Sequence, residues 1–561
     1  MHSLAYQIML AHMSWTLFLA VVAFILPASA ETIPRELKWT DDTFGPDGPW
    51  RAIHVQMGYE ETSIGLFPGS AWETWLIDDN YCQTGTCYAS KAGTYDKSSG
   101  NDGDIRLDGG LNSFMLGLNL EGEPGTRYLD DMSLNGITVE NVSLVLLESQ
   151  MIRYPGGQTS PFFAGCLSLG GTGATNQTFT LDRAPAINAS LPPGWMWETE
   201  WTPSNSFGMH IGSVQPAMSG SLWFGGYDQN RIVGDILSMK GNPRNGITLW
   251  DIGIEAIGNN SLFEPSAADS LLAKGNSSIV SGLKVSIDGC SPYLTLPKST
   301  CDNIATHLPV SFNEDLGLYL WDTKSDKYHD IINSATALSL SFISGSNTKL
   351  IKIRVPFLHL NLTLSAPLVN EPVPYFPCHV NDKGVYVLGR AFLQDAFIGA
   401  NWDPSAETWW LAQAPGRNIQ ATTNVVSIGK EDKTIVKGGN DWKVSWDGVW
   451  NDDSDEKAPS STPTSDTNDK ENNKENNKDG GGEMSTGAKA GIGIGGAAAF
   501  LALGLGAFFF WRRRRSQAQP TQTPSATSQK TASSEPLPNE MPNHEVQHES
   551  SSPYQRYEMP S

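Results

Sequence analysis

Asp288 is the residue in this chain best placed to do chemistry, and its counterpart is missing. It lies in IDGCSPYLTLP (287–297), and a second segment of the same rhythm, IGLFPGSAWETWLI (64–77), sets Phe67-Pro68-Gly69 opposite Ile287-Asp288-Gly289. About a hundred residues beyond each loop comes an apolar pair closed by glycine, CLSLGG (166–171) and VYVLGRAFL (385–393). The loops are 220 residues apart (288 − 68) and the closing glycines 219 (389 − 170), so the chain reads as two homologous lobes. Pro68 stands where the second acid would be; aligned on glycine instead, Phe67 takes the position. Neither side chain can carry a proton, and proline also lacks a backbone donor.

Further features fall in a specific order. Trp75 follows the first loop, then the close pair Cys82 and Cys87; GSLWFGGYDQNRIVGD (220–235) joins the repeats, and VLGRAFLQDAFIGANWD (387–403) comes near the end. Together these resemble the pepsin-like aspartic peptidases (peptidase A1), especially the membrane-anchored fungal members, over residues ~40–416. The resemblance implies an all-β, bilobal fold of two homologous β-barrel lobes, each bringing a loop of the form apolar-Asp-Thr/Ser-Gly-Thr/Ser. In that family two carboxylates about 3 Å apart share one proton; the ionised one activates water and the protonated one donates to the scissile carbonyl. Here Asp288 is the only family aspartate, and its partner position is Pro68.

Other departures point the same way. In the second loop Gly289-Cys290 replaces Thr-Gly, with Ser291-Pro292 following. LGLNLEGEPGTR (116–127), where the family has a flap tyrosine, contains none, so a short or displaced hairpin is expected. Glu73, Asp78 and Asp79 lie near the first loop, but five or more residues of offset removes them from hydrogen-bond reach, and Glu73 should follow the outgoing strand. A lone aspartate of ordinary pKa, about 3.9, is a plain anion at neutral pH, suited to a structural loop hydrogen bond. The resemblance also implies Cys82–Cys87 and Cys301–Cys378 disulfides. Cys166 and Cys290, each near its lobe's loop, could bridge the lobes or stay as two buried thiols; four cysteines alone allow three pairings.

The elements that must position these loops are short β-branched and aromatic runs broken by Gly, Pro, Asn and Asp, such as ITVENVSLVLLES (137–149) and KLIKIRVPFLHLNLTL (349–364). Ahead of them, WTLFLAVVAFILP followed by ASA reads as a signal peptide over 1–30. The lobes are assigned to 31–235 and 236–416. Residues 417–489 form a segment bearing Trp442, Trp446 and Trp450 at intervals of four, either packed back on the main domain or contacting a membrane, glycan or partner, and then a disordered polar stalk. AGIGIGGAAAFLALGLGAFFFW (490–511) is apolar and long enough to span a bilayer as a transmembrane helix, and Arg512 to Arg515 follow it. Residues 512–561 are then a disordered cytoplasmic tail, and the topology is single-pass type I, with plasma membrane as the default destination.

That topology exposes the lobes to an oxidising compartment and makes Asn141, Asn176, Asn188, Asn259, Asn276 and Asn361, each in an N-x-S/T sequon, glycosylation candidates. With 60 acidic and 38 basic residues the formal charge is −22, which argues against nucleic acid as partner. No CxxC or histidine cluster marks a metal site, and no cofactor is indicated. Three functions fit: a catalytically inactive peptidase homologue that holds extended polypeptide between its lobes or acts as a surface sensor; an active aspartic endopeptidase of the cell surface; and a structural or adhesive surface module.

Overall fold

The computed structural model describes residues 32–450, apart from 83–85, 100–114, 124, 180–186, 257–268, 344–348, 382 and 420–421. The signal peptide, stalk, proposed span, tail and Asn259 lie outside the described residues. Among the described residues no helix is long and apolar enough to cross a membrane.

The architecture is mostly β. Strand Trp50–Met57 buries Trp50, Ala52, Val55 and Met57 while Arg51, His54 and Gln56 are half-exposed, the alternation of a sheet with one covered face. Thr336–Ile343, by contrast, is buried along almost its whole length, and its run TALSLSFI is correspondingly mostly apolar. Between Thr126–Leu134 and Ile137–Leu147 the turn is Asn135-Gly136, both with positive φ (50° and 82°), a two-residue hairpin loop whose twist matches the flanking strands.

Both lobes contain the same motif, as the internal repeat requires. In the first, Thr62–Gly69 leads into the loop and runs parallel to Gly165–Ser168, with Leu167 beside Pro68; the outgoing strand Thr74–Ile77 returns antiparallel to the same segment, Trp75 beside Cys166. In the second, Leu283–Ile287 runs parallel to Val387–Leu388 and the outgoing pair Leu294–Thr295 returns antiparallel to it. The apolar-apolar-Gly segments therefore form the floor under each loop. Gly389 is needed there because a Cβ would overlap the Ser291 carbonyl oxygen and lie 2.8 Å from that of Tyr293.

A six-stranded sheet joins the halves, in the order Arg35–Glu36, Ser221–Phe224, Ser206–His210, Ala396–Asn401, Thr408–Gln413, Val233–Lys240. Its strands come from both ends of the chain, so neither lobe is complete without the other. The packed body runs on past Gly416: Val425–Ser427 pairs with Gly226–Asp228, and Trp442 and Trp446 are buried against Val233 and Ala337. Trp446 stacks on Trp450 with ring centroids 4.8 Å apart, and a Cβ on Gly416 would meet the Trp446 indole, so the tryptophan stripe packs back on the main body.

Candidate functional site

The two loops meet, and they meet in the interior. Phe67, Pro68 and Gly69 are buried on one side and Asp288 through Pro292 on the other, with Asp288 fully enclosed. Its backbone N–H donates to the Leu388 carbonyl (3.2 Å), which fixes it at the end of its strand. Its Oδ1 accepts one backbone N–H from each lobe, from Ser70 at 3.0 Å and from Cys290 at 3.3 Å. Oδ2 has no hydrogen bond, but the Arg244 guanidinium stands 3.7 Å away. The carboxylate is thus a charge-assisted acceptor for two amides, with a cation offsetting its charge.

Cys166 and Cys290 are joined. The bridge spans 124 residues of sequence, links the two lobes directly, and lies against the loops; a Cβ on Gly69 would overlap Cys290 Sγ and come within 3.0 Å of Cys166 Sγ and 2.8 Å of Asp288 Oδ1. The alternative of two free thiols is overturned, since no cysteine of the chain is free. Cys82–Cys87 and Cys301–Cys378 are bonded as the resemblance implied. Glycine at 69 and at 289, where a Cβ would run into the Pro68 carbonyl oxygen, is what lets the loops come this close.

The three acids near the first loop each have other surroundings. Glu73 is buried but held by Arg127 at 2.6 Å, Asp78 accepts from the Asn80 amide at 2.8 Å and faces Lys97 at 3.6 Å, and Asp79 is exposed. Glu73 stands just before the outgoing strand Thr74–Ile77, and Asp78 and Asp79 just after it. The flap region departs from a hairpin as anticipated: Asn119–Glu121 pairs with Met151–Arg153 rather than with Thr126–Leu134, and Leu116 and Gly117 lie against the second lobe, accepting from Ser291 Oγ (2.8 Å) and Asn381 Nδ2 (2.7 Å).

Direct contacts of this kind continue between the lobes. Tyr154 and Tyr293 share a hydroxyl–hydroxyl bond at 2.9 Å, the Gly156 amide donates to the Asp315 carbonyl at 2.8 Å, and Gln158 Nε2 donates to the Pro367 and Leu368 carbonyls. An ion pair missed from the sequence adds to them. Arg390 is buried, donates through Nη1 to the Gly289 and Cys290 carbonyls, stacks over the Phe67 ring at 4.0 Å, and faces Asp47 at 3.4 Å. Burial pushes the Asp47 carboxyl above its ordinary range against the pull of Arg390, and burial lowers the Arg390 guanidinium likewise. An arginine immediately after VYVLG, in an otherwise apolar run, is a signal for such a pair; Asp47, in a Gly/Pro turn, offers none.

The described glycosylation candidates are placed variously. Asn141, Asn176 and Asn188 are exposed, whereas Asn276 and Asn361 are half-buried, Asn276 donating to Ser299 Oγ and Asn361 accepting from the Tyr328 hydroxyl. No group of three or more potential metal ligands occurs among the described residues.

The class defined by two such lobes around one loop pair is also what comparison returns. The family profile described as eukaryotic aspartyl protease matches residues 60–414, well over half of the chain, and the protein belongs to that family. Among solved structures, the aspartic proteinase from Irpex lacteus aligns at 14% identity with a TM-score of 0.41, covering 70% of this chain and 100% of that one. A search of curated proteins returned no match.

Proposed function

We propose that this is a catalytically silent aspartic peptidase homologue, carried as a type I membrane glycoprotein, whose work is recognition at the cell surface. The observation that carries the reading is the loop pair itself. Acid-base hydrolysis needs two carboxylates that share a proton and reach a water and a peptide carbonyl. Here Pro68 faces the one aspartate, Asp288 commits Oδ1 to two amides, and a disulfide lies beside it in an enclosed interior. The anchoring part of the proposal rests on the apolar segment 490–511 with its four following arginines, and the glycoprotein part on the sequons. Extended polypeptide is retained as a candidate ligand only along the outer rim of the lobe junction, since the centre is taken up by the lobes' own contacts.

The test incubates the full chain with unfolded protein substrates from about pH 3 to 7, beside Asp288→Asn and a pepstatin-type inhibitor. No cleavage above background is expected. Cleavage abolished by both the substitution and the inhibitor would refute catalytic silence. Pull-down of extended peptides by the same preparation separately tests the rim as a binding surface.

A further inference from the structure

A cavity of about 430 Å³ opens where five separated stretches of chain converge, among them Gln215-Pro216, Ile332-Asn333, Arg417-Asn418 and Gly448–Trp450. It shares no residue with the loop pair around Asp288. We propose that it binds carbohydrate, a short neutral oligosaccharide stacked on Trp450 and hydrogen-bonded by the surrounding carboxamides.

Four features carry this. The volume falls within the range of small-ligand clefts, about 300–1,000 Å³. Trp450 lines the cavity and is backed by the buried Trp446, the two rings 21° from parallel; a rigidly held indole offers an apolar plate at little entropic cost. Among the described residues the polar lining is made of carboxamides and one guanidinium, with no carboxylate. Each carboxamide offers both donors and an acceptor, which matches hydroxyls that both give and take hydrogen bonds, whereas an acid-lined site would select cations. Finally, the side chains of Gln215, Asn333 and Arg417 make no hydrogen bond or ion pair with other described residues, so their capacity is free for a ligand; Asn418 uses its Nδ2 on the Asp447 carbonyl and keeps Oδ1 as an acceptor.

The sugar could come from a partner or from this chain. Asn361 lies three residues beyond Leu358, which lines the cavity, and its backbone N–H donates to the Leu358 carbonyl (3.4 Å), so a glycan on Asn361 is the chain's own nearby source. The chemistry is the same from either source, and the Asn361→Gln variant separates them.

The experiment titrates the full chain and its Asn361→Gln variant with trisaccharides of glucose, mannose and N-acetylglucosamine, read by calorimetry and tryptophan fluorescence. At least one trisaccharide is expected to bind, with affinity falling about tenfold or more in Trp450→Ala and about tenfold in Gln215→Ala/Asn333→Ala. The double variant alters only exposed side chains, so it keeps the test alive should Trp450→Ala fail to fold. Binding by Asn361→Gln alone supports the site and assigns its sugar to the chain's own glycan. The proposal is overturned by no binding in either chain or by binding indifferent to both cavity variants.

Discussion

Replacing both Cys166 and Cys290 by alanine tests whether the lobes are held at their centre by a covalent bond. Closing a loop removes conformational freedom from the unfolded chain, and in the chain-entropy account the gain grows with the logarithm of loop length. For the separation of 124 residues this amounts to about 5 kcal/mol at 25 °C, against roughly 2 kcal/mol for the 5-residue Cys82–Cys87 loop. The two loops do not overlap in sequence, so the second pair serves as an internal yardstick. With an unfolding entropy of about 2.1 cal/mol/K per residue, a body spanning 32–450 loses roughly 0.9 kcal/mol per degree, so the expected fall in Tm is about 5–6 °C for the central pair and about 2 °C for the other.

The assay is thermal unfolding of the full chain under non-reducing conditions, with urea unfolding as a second probe. Both cysteines are fully buried, so truncating them also forfeits packing, and the loss should not fall below the entropic figure. A central-pair variant whose Tm stays within about 1 °C of the parent, while the small-loop variant shows its expected drop, would refute the clamp. On the proposed reading the variant gains no peptidase activity, because opening the bridge does not supply a second acid.

Other perturbations have signs fixed by the structure. Burial lowers His210 to about 3, with nearby Arg231 acting the same way, and burial alone lowers His379 to about 4; in the unfolded chain both titrate near 6.5. Their stabilising contribution is therefore complete above pH 6.5 and lost as pH falls towards 4 and 3, each accounting for about 2 kcal/mol at pH 5. Asp47 and Asp395, raised mainly by burial, act in the opposite sense and soften the loss at the acid end. Tm should fall between pH 7 and 5, and the drop should shrink in His379→Gln; a Tm that rises on acidification contradicts the scheme. Asp47→Asn should cost about 3–5 kcal/mol in urea unfolding by stranding the buried Arg390 charge, and a loss under 1 kcal/mol would mean Arg390 is not committed to it. Asp288→Ala should cost about 2–4 kcal/mol by leaving the backbone amides of Ser70 and Cys290 without an acceptor, whereas Asp288→Asn keeps an acceptor and should cost about 1 kcal/mol; equal and negligible losses would remove its structural role.

Much of the framework was legible in the residues, because a repeat writes the same constraint twice. The near-equal offsets of loops and closing glycines forecast two identical strand arrangements, and both are present with the same parallel and antiparallel partners. Glu73, just ahead of the outgoing strand, is taken up by Arg127. What was not legible depended on residues distant in sequence. Cys166 and Cys290 could equally have been two thiols until their Cα atoms were seen 5.8 Å apart. The Arg390–Asp47 pair joins residues 343 apart, and the cavity beside Trp450 is assembled from stretches no local pattern connects. The extent of the folded body beyond Gly416 was likewise hidden, because Trp442, Trp446 and Trp450 on a polar background suit a packed stripe and an exposed one alike.

The surviving aspartate is the feature most easily misread. An acid kept at a family's catalytic position suggests residual catalysis, yet its geometry here also meets a structural need. Two loops forced together bring one amide from each lobe, those of Ser70 and Cys290, into an enclosed interior, and each unpaired amide there would be costly. A single oxygen of Asp288 answers both, and Arg244 lies near the other. Alanine could not do this, and a hydroxyl is too short-reaching a substitute for a carboxylate that must span both loops. The same closeness is what the Cys166–Cys290 bond requires, and what Gly69 and Gly289 permit by lacking a Cβ. Pro68 opposite Asp288, the Cys166–Cys290 bond and the two amides held by one carboxylate oxygen are thus one arrangement, in which the loop pair ties the two halves of the protein to each other.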